Sequence, residues 1–213
     1  MKREIRSYVL RQGRTTPAQK RALDELLPKY GLPFSGKRIV SERQAPLVLE
    51  IGSGMGETTA EIAKAHPEVD FVAVEVHGPG VGSLLNRIHG ENIQNLRVVR
   101  HDAVEVLRDM FADGSLAAIH LFFPDPWPKK RHHKRRLVQP EFVALLEKKL
   151  APGGTVHLAT DWPDYAEQIE SVFSDGSLFT REEKGLFARP RTKFEARGRR
   201  LGHPIRDLYF RRR

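Results

Sequence analysis

The sequence predicts an α/β fold in which a single, doubly wound, mostly parallel sheet carries helices on both faces. From residue 47 onward, short apolar runs alternate with helical patterns, and such alternation is typical of βαβ units. A glycine-rich turn joins the first apolar run to the helical pattern that follows it. The chain has 213 residues, of which 39% are hydrophobic, and this is enough for one sizeable core.

A helix is predicted ahead of the alternating series. Thr16 suits an N-cap, Pro17 suits the first turn, and Gln19 completes a capping box. Gly31 and Pro33 are expected to end this helix. Its apolar residues, which we expect to pack on the core, are Ala22, Leu23, Leu26 and Leu27.

The alternating series then gives the remaining elements in order. The predicted strands span 47–51, 70–76, 96–100, 117–123, 155–159 and 208–211. The predicted helices between them span 57–65, 82–89, 104–110, 139–150 and 162–173. Ligands of such sheets bind at the carboxyl ends of the strands, so the residues that follow each strand are the candidates for a site.

Composition excludes several classes of function. The chain has no cysteine, which rules out disulfides, thiolate catalysis and Cys-type zinc sites, and its nine histidines show no metal-ligand spacing. It has no apolar run of about 18 residues and no signal-peptide pattern at its polar N-terminus. We therefore expect a cytoplasmic protein without membrane or metal, and a monomer. Residues 1–15 are expected to form a mobile basic arm, and 16–213 one domain.

The charge pattern favours an acidic partner. The net charge is +9, and the basic residues concentrate in three places, 1–14, 129–136 and 189–213. A solvated basic surface is the ordinary interpretation of one such run, but three runs make it less attractive. The run 129–136 has six Lys or Arg and two His in eight residues, enough for several phosphate contacts. A nucleic-acid substrate is therefore the first hypothesis.

The loop after the first strand has the features of a nucleotide-type site. Gly52, Gly54 and Gly56 alternate, which allows a tight turn and close approach to a ligand. The second and third glycines are one residue closer than in the dinucleotide fingerprint, and Glu50 would repel a pyrophosphate. A cationic ligand such as S-adenosylmethionine fits better, with Glu50 binding its methionine end. A plain turn is the alternative.

Acidic residues also follow the next two strands. Glu75 lies 19 residues past Gly56, where a carboxylate can accept both ribose hydroxyls. Asp102 can accept from the adenine amino group. Each has a structural interpretation as well, since Glu75 can be a cap or an exposed acid and Asp102 can cap the following helix. Three acids after three successive strands favour the cofactor interpretation.

The order of the motifs LEIGSGMGE, VEVH, HDA and FPDPWPKKRHHKRR resembles that of the class I S-adenosylmethionine-dependent methyltransferases. With SYVLRQGR, VEVHGPGVGSLL and TKFEARGRRLGHPIRDLYF, the chain is similar, over almost its whole length, to the bacterial tRNA (guanine-N(7)-)-methyltransferases. The resemblance implies a Rossmann-like fold and methylation of ring nitrogen 7 of the guanine at position 46, in the variable loop of tRNA. No motif position departs from the family pattern.

The resemblance also implies roles for particular residues. The active-site acid is Asp125, which also lies among the cofactor contacts with Glu50, Glu75, Asp102 and the three loop glycines. The implied substrate contacts are Lys129, Asp161, Thr192, Lys193, Phe194 and Glu195. The implied RNA contacts are Lys130, Arg131, His132, His133, Lys134, Arg135 and Arg136, for which a solvated loop is the alternative.

Asp125 lies between Pro124 and Pro126, which restrict its freedom and keep it out of a helix. Nitrogen 7 of guanine has a free lone pair, so no general base is required, and we interpret Asp125 as an orienting and charge-stabilising group. A plain turn residue is the alternative. Trp127 can stack on the base or pack on the core.

Three of the implied substrate contacts also have a structural interpretation. Asp161 can N-cap the following helix, Phe194 can stack or be buried, and Glu195 can either accept from guanine's pairing edge or pair with Arg197. At the level of the whole chain, a noncatalytic tRNA-binding protein and a methyltransferase for small molecules or proteins are the rival hypotheses.

Overall fold

The computed structural model describes residues 7–8, 13–175, 178–190, 195 and 204–213. Within these ranges the strands are β1 Leu47–Ile51, β2 Asp70–Val74, β3 Leu96–Val99, β4 Leu116–Phe122, β5 Leu150–Thr160, β6 Phe179–Glu182 and β7 Arg206–Arg212. They form one sheet in the order β3-β2-β1-β4-β5-β7-β6. The first five strands are parallel, and β7 runs antiparallel between β5 and β6.

Helices cover both faces of this sheet. They are α1 Pro17–Glu25, α2 Leu27–Tyr30, α3 Glu57–Ala65, α4 Gly78–Gly90, α5 Ala103–Met110, α6 Pro140–Lys149 and α7 Pro163–Ser174, with a 3-10 helix at Lys130–Arg135. Buried residues of α1, α3 and α4 belong to the core cluster on one face, and those of α5, α6 and α7 to the cluster on the other. The predicted doubly wound sheet is therefore confirmed. None of the described helices is long and apolar enough to cross a membrane.

The N-terminal helix is capped as predicted but is interrupted. Thr16 accepts a hydrogen bond from the backbone N–H of Gln19, and the Gln19 side chain accepts from the backbone N–H of Thr16. The helix then breaks at Leu26, because Pro28 in the next turn has no N–H to continue the hydrogen-bond ladder. Gly31 ends the second piece, as expected.

Three further differences from the sequence prediction exceed two residues. Helix α4 begins at Gly78, four residues early, because Pro79 lies in its first turn, where a missing N–H costs nothing. Strand β5 begins at Leu150 because its first residue pairs with Leu116 across an irregularity in the ladder. Strand β6 was not predicted, and it is held by antiparallel pairing with β7 at the edge of the sheet.

Helix α4 approaches the glycine-rich loop very closely. A Cβ atom on Gly80 would lie 2.4 Å from the carbonyl oxygen of Gly54 and 3.3 Å from Cγ of Glu75. Glycine at position 80 therefore lets the helix press against the loop and against the end of β2. The packing of α4 sets the position of both elements.

The strand register brings the carboxyl ends to one edge. Ile51 of β1 pairs with Val74 of β2 and with Leu121 of β4, while Val74 also pairs with Val99 of β3. The loops after these four strands consequently emerge side by side. This edge is where the sequence predicts a ligand.

Gly80→Ala should destabilise the protein by about 1–3 kcal/mol, because the added methyl has no space against the Gly54 carbonyl. The control is Gly90→Ala in the same helix, where a Cβ would meet nothing within 4 Å. That change should be neutral or stabilise by up to about 1 kcal/mol through helix propensity. Urea unfolding of the two variants measures both effects, and equal stabilities would contradict the proposed close contact.

Candidate functional site

A cleft of about 220 Å³ opens at the carboxyl edge of the sheet. Gly52 lines it after β1, Glu75 after β2, Asp102 after β3 and Asp125 after β4. The structure therefore brings together candidates that are far apart in sequence. Ser7 and Tyr8, from the predicted N-terminal arm, also line the cleft.

Glu50 is buried behind the cleft, in strand β1, with 3% of its surface exposed. Its Oε1 accepts a hydrogen bond of 2.7 Å from the hydroxyl of Thr59 in α3, whereas its Oε2 is buried without a partner. Burial raises the pKa of Glu50 to about 7, and the Thr59 hydrogen bond opposes that rise only in part. A cationic group placed at Oε2 would stabilise the ionised form.

The glycine loop between β1 and α3 has the backbone conformation that its glycines predict. Gly52, Gly54 and Gly56 have φ values of 74°, 55° and 77°, in the left-handed region that glycine adopts without strain. The hydroxyl oxygen of Ser53, between them, is buried without a hydrogen-bond partner. The loop thus adds a second unsatisfied polar atom near the end of β1.

Glu75 organises the loop as well as lining the cleft. Its Oε2 accepts from the N–H of Gly54 at 2.8 Å, and its Oε1 accepts from the N–H groups of Val76 and His77 at 2.7 and 2.9 Å. These bonds fix the carboxylate at the mouth of the cleft. An ionised carboxylate has about four acceptor positions, so it retains capacity for a ligand hydroxyl.

Asp102 caps helix α5, as the structural interpretation of this residue predicts. Its Oδ1 accepts from the N–H groups of Val104 and Glu105 at 2.8 and 3.1 Å. Both bonds use the same oxygen, and Asp102 still lines the cleft. Capping and ligand binding are therefore compatible in this side chain.

Asp125 is exposed on a strained loop after β4, residues 123–127, which we call the Asp125 loop. Phe123 and Trp127, on either side of it, have φ values of 52° and 45°. Such values are rare for bulky residues and cost about 1–3 kcal/mol each, so the surroundings must hold them. The N–H of Phe123 donates to the carbonyl of Ala159 at 2.7 Å, and the indole N–H of Trp127 donates to the carbonyl of Ser7 at 3.0 Å.

Trp127 takes part in neither core cluster of the described residues. It is half-buried, and the guanidinium of Arg135 lies 4.7 Å from its ring. Core packing is therefore the wrong interpretation of this side chain. Trp127 instead joins the Asp125 loop to the N-terminal segment and to the basic run.

Arg136 departs from its predicted role as an RNA contact. It is 2% exposed, and its guanidinium donates to the carbonyl of Pro126 at 2.8 Å, to Oε1 of Gln168 at 2.7 Å and to the carboxylate of Asp164 at 2.5 Å. Its guanidinium also lies 4.8 Å from the ring of Tyr165. Arg136 anchors the Asp125 loop to α7 and is not available to a backbone phosphate.

The rest of the basic run is accessible. Four side chains are exposed, namely Lys129, Lys130, Arg131 and Lys134. Three more are half-buried, namely His132, His133 and Arg135. Most of them lie on the 3-10 helix directly after the Asp125 loop.

Asp161 follows β5 at the same edge of the sheet and is half-buried. The N-cap position of α7 is Trp162, and no side chain caps this helix, so capping is the wrong interpretation of Asp161. Thr192, Lys193 and Phe194 lie outside the described residues.

Glu195 is 2% exposed and pairs with Arg189, at 2.6 Å between Oε2 and Nη1. Arg197, the partner that one interpretation of the sequence names, lies outside the described residues. Arg189 was not identified from sequence, because it is the first residue of a basic cluster that resembles a solvated surface. Ser7 and Tyr8 were also missed, since a polar terminal segment gives no signal of a cleft contact.

The donor set suits a cationic ligand that also carries hydroxyl groups. Glu50 offers a buried, unpaired oxygen, and Glu75 and Asp102 offer carboxylates at the cleft. S-adenosylmethionine fits this arrangement through its ammonium, ribose hydroxyls and adenine amino group. Within the described part of the chain, no group of His, Asp and Glu could hold a metal ion.

Comparison with known proteins gives consistent relatives. Residues 44–208 match the model of a family described as "Putative methyltransferase". The tRNA (guanine-N(7)-)-methyltransferase of Nitrosomonas europaea is 55% identical, and the alignment covers 98% of this chain and 96% of that protein. The protein of the same name from Nitrosospira multiformis is 54% identical, with 99% and 96% covered.

Solved structures agree at the level of the fold. TrmN from Thermus thermophilus has a TM-score of 0.57 at 16% identity, covering 92% of this chain and 49% of that chain. An rRNA methylase from Streptococcus thermophilus has a TM-score of 0.52 at 14% identity, covering 79% and 87%.

Glu50→Gln should stabilise the ligand-free protein at high pH. The folded pKa of about 7 lies above the ordinary 4.5, so the neutral carboxyl contributes stability below pH 4.5 that is lost as the pH rises through 7. Relative to wild type, the variant should gain about 2–3 kcal/mol of unfolding free energy between pH 5 and pH 8, at 1.36 kcal/mol per pKa unit. Urea unfolding at both pH values measures this gain.

The control is Glu61→Gln, on the exposed side of the same helix that carries Thr59. Its stability should follow that of wild type within about 0.5 kcal/mol at both pH values. A Glu50→Gln variant with the same pH dependence as wild type would contradict a buried, unpaired carboxylate.

Proposed function

The chain belongs to the tRNA (guanine-N(7)-)-methyltransferase family, and we propose that the guanine it methylates is at position 46, in the variable loop of tRNA. Its activity is transfer of a methyl group from S-adenosylmethionine to ring nitrogen 7 of guanine, which forms 7-methylguanosine. The observation that carries the assignment to this cleft is the convergence of Gly52, Glu75, Asp102 and Asp125 at one edge of the sheet, beside an exposed basic run.

The cofactor supplies an electrophilic methyl group on a sulfonium when it is bound. In our proposal, the ionised Glu50 carboxylate binds the ammonium of its methionine end and Ser53 contributes its hydroxyl there. This is supported by the buried, unpartnered Glu50 Oε2 and Ser53 Oγ atoms. Glu75 accepts from the ribose hydroxyls and the second oxygen of Asp102 from the adenine amino group.

The chemistry at guanine requires positioning more than proton transfer. Nitrogen 7 carries no proton at neutral pH, so its lone pair attacks without a general base. Correct placement of two reactants can contribute as much as about 7–11 kcal/mol to lowering a barrier. The protein therefore needs a rigid base-binding surface and no strong base.

Asp125 is the group that we assign to the reacting centre. Positive charge develops on the guanine ring during transfer, and a fixed carboxylate stabilises it. The rigid loop geometry at Phe123 and Trp127 and the anchoring of Pro126 by Arg136 support this role, because they restrict where the carboxylate can go. Asp161, after the neighbouring strand, is a second acid available to the substrate.

The exposed part of the basic run binds the RNA backbone in this proposal. Its position next to Asp125 would guide the variable loop toward the cleft. Lys129, together with Thr192, Lys193, Phe194 and Glu195, is the predicted substrate contact set. We further propose that the enzyme acts as a monomer in the cytoplasm. Light scattering of the purified protein tests whether it is a monomer.

The proposed function predicts label in 7-methylguanosine when the protein is incubated with labelled S-adenosylmethionine and unmodified tRNA. A transcript with adenine at position 46 should remain unlabelled.

Asp125→Asn should lower kcat by about 100-fold or more while the S-adenosylmethionine affinity changes less, because the charge of Asp125 acts on the reacting ring. Full activity of Asp125→Asn would refute the role of Asp125 at the reacting centre. Label in any nucleoside other than 7-methylguanosine would refute the proposed target atom.

Replacing Lys130, Arg131, Lys134 and Arg135 together by Gln should weaken tRNA binding and flatten its salt dependence. If each contacts one phosphate, the slope of log K against log salt should fall by about 3 units. The S-adenosylmethionine affinity should stay within about twofold of wild type. An unchanged slope would remove this run from the RNA interface.

Arg136→Gln is the contrasting variant. It should leave the salt slope unchanged but destabilise the protein by about 1–3 kcal/mol, since the buried guanidinium loses its hydrogen bonds to Pro126 and Gln168, whereas Asp164 is exposed to water. Filter binding across a salt series and urea unfolding separate the two classes of arginine.

A further inference from the structure

Arg189 lies at the centre of a charged cluster that reaches Phe123, two residues before Asp125. Its side chain is 5% exposed and binds two carboxylates. Nη1 donates to Oε2 of Glu195 at 2.6 Å, while Nε and Nη2 donate to the two oxygens of Asp207 in β7 at 3.0 and 3.1 Å. One guanidinium therefore ties Glu195 to β7.

Strand β5 supports this cluster from the other side. Nε2 of His157 lies 2.8 Å from Oδ1 of Asp207. Burial opposes ionisation of Asp207, but the hydrogen bonds from His157 and Arg189 outweigh it and lower the pKa of Asp207 to about 2. The ionised Asp207 therefore accepts from His157, and three sheet and loop elements meet in one fixed arrangement.

Arg189 also reaches the loop of Asp125. Its guanidinium carbon lies 5.3 Å from the ring centre of Phe123 and 5.8 Å from that of Phe122. Phe123 has a left-handed backbone conformation and precedes Asp125 by two residues. The Arg189 cation over the Phe123 ring restrains Phe123, the residue at which the Asp125 loop begins.

We propose that Arg189 is a positioning residue for methyl transfer, which holds Glu195 and the Phe123 end of the Asp125 loop in one geometry. Glu195, which the resemblance gives as a substrate contact, then acts through Arg189 and does not read the pairing edge of guanine. The inference rests on the proposed function and assigns roles within the same site.

The chemistry of the cluster requires arginine. A planar guanidinium can bind Asp207 with two parallel hydrogen bonds, present a third to Glu195 and lie over an aromatic ring, whereas an ammonium is a point charge. Lysine at position 189 would keep the charge and lose the fork. Arg189→Lys therefore tests the geometry while keeping a positive charge beside the buried Glu195 and the half-buried Asp207.

The experiment compares wild type with Arg189→Lys, Glu195→Gln and the double variant Arg189→Lys/Glu195→Gln. Steady-state methylation of a tRNA transcript gives kcat and KM, calorimetry gives the S-adenosylmethionine affinity, and thermal unfolding gives stability. The matched control is Arg181→Gln, because Arg181 also pairs with a carboxylate and lies 5.2 Å from a ring centre, that of Phe210, but on the far strand β6.

Arg189→Lys and Glu195→Gln should each lower kcat at least tenfold while the S-adenosylmethionine affinity stays within twofold. The double variant should lose no more than about threefold beyond the worse single variant, because the two residues act as a unit. Arg181→Gln should keep kcat, KM and the S-adenosylmethionine affinity within twofold of wild type. A purely structural role would instead lower the melting temperature and cofactor affinity together with kcat.

A second substrate separates anchoring from base recognition. A transcript with inosine in place of the methylated guanine lacks the exocyclic amino group. The guanosine-to-inosine ratio of kcat/KM should be the same, within twofold, in wild type, Arg189→Lys and Glu195→Gln. A ratio that changes more than fivefold in Glu195→Gln alone would assign Glu195 to the base and overturn the inference.

Three further results would also overturn the inference. Wild-type kcat in Arg189→Lys, or fully additive losses in the double variant, would overturn the positioning role alone. Absence of 7-methylguanosine with the wild-type protein would overturn the proposed function, and this inference with it.

Discussion

Burial of the central parallel strands on both faces is the constraint on which the rest of the structure depends. Every residue of β1 is buried, including the ionisable Glu50, and helices cover both sides of the sheet. Water is excluded along the strands, so polar groups can meet a ligand only where the strands end. The in-register pairing of β1 with β2 and β4 brings those ends to one edge. The cleft, the glycine turn and the Asp125 loop all follow from that edge.

Sequence patterns predicted most strands and helices and the ligand-binding edge of the sheet, because these features depend on local chemistry. Apolar runs and helical periodicity identify buried strands and helices, and an acid after a strand identifies the edge where it emerges. The elements that were missed depend on distant contacts. Strand β6 forms because β7 offers it a partner, and this contact has no signature within the β6 segment. The early start of α4 has a local signal in Pro79, but the close approach of Gly80 to Gly54 has none.

The same limit explains the two arginines whose roles the sequence obscured. Arg136 and Arg189 each belong to a basic run that resembles a solvated or RNA-binding surface, yet both are buried and bind carboxylates. They support the Asp125 loop from its two ends, one through the carbonyl of Pro126 and the other over the ring of Phe123. A basic cluster in this fold therefore serves two purposes, and only burial distinguishes the supporting arginines from the exposed Lys130, Arg131 and Lys134.

The site contains groups that lower the stability of the folded protein. A buried carboxylate with one unpaired oxygen and two bulky residues in the left-handed region destabilise the ligand-free protein by several kcal/mol in total. A ligand that binds only the folded state contributes about 2.7 kcal/mol at a concentration 100 times its dissociation constant. In the proposed site, a cation at Glu50 relieves the part of this destabilisation that arises at the end of β1. The strain at Phe123 and Trp127 is instead held by the protein's own hydrogen bonds to Ala159 and Ser7. If Glu50 binds the cofactor, cofactor binding and folding stability are coupled through the end of β1.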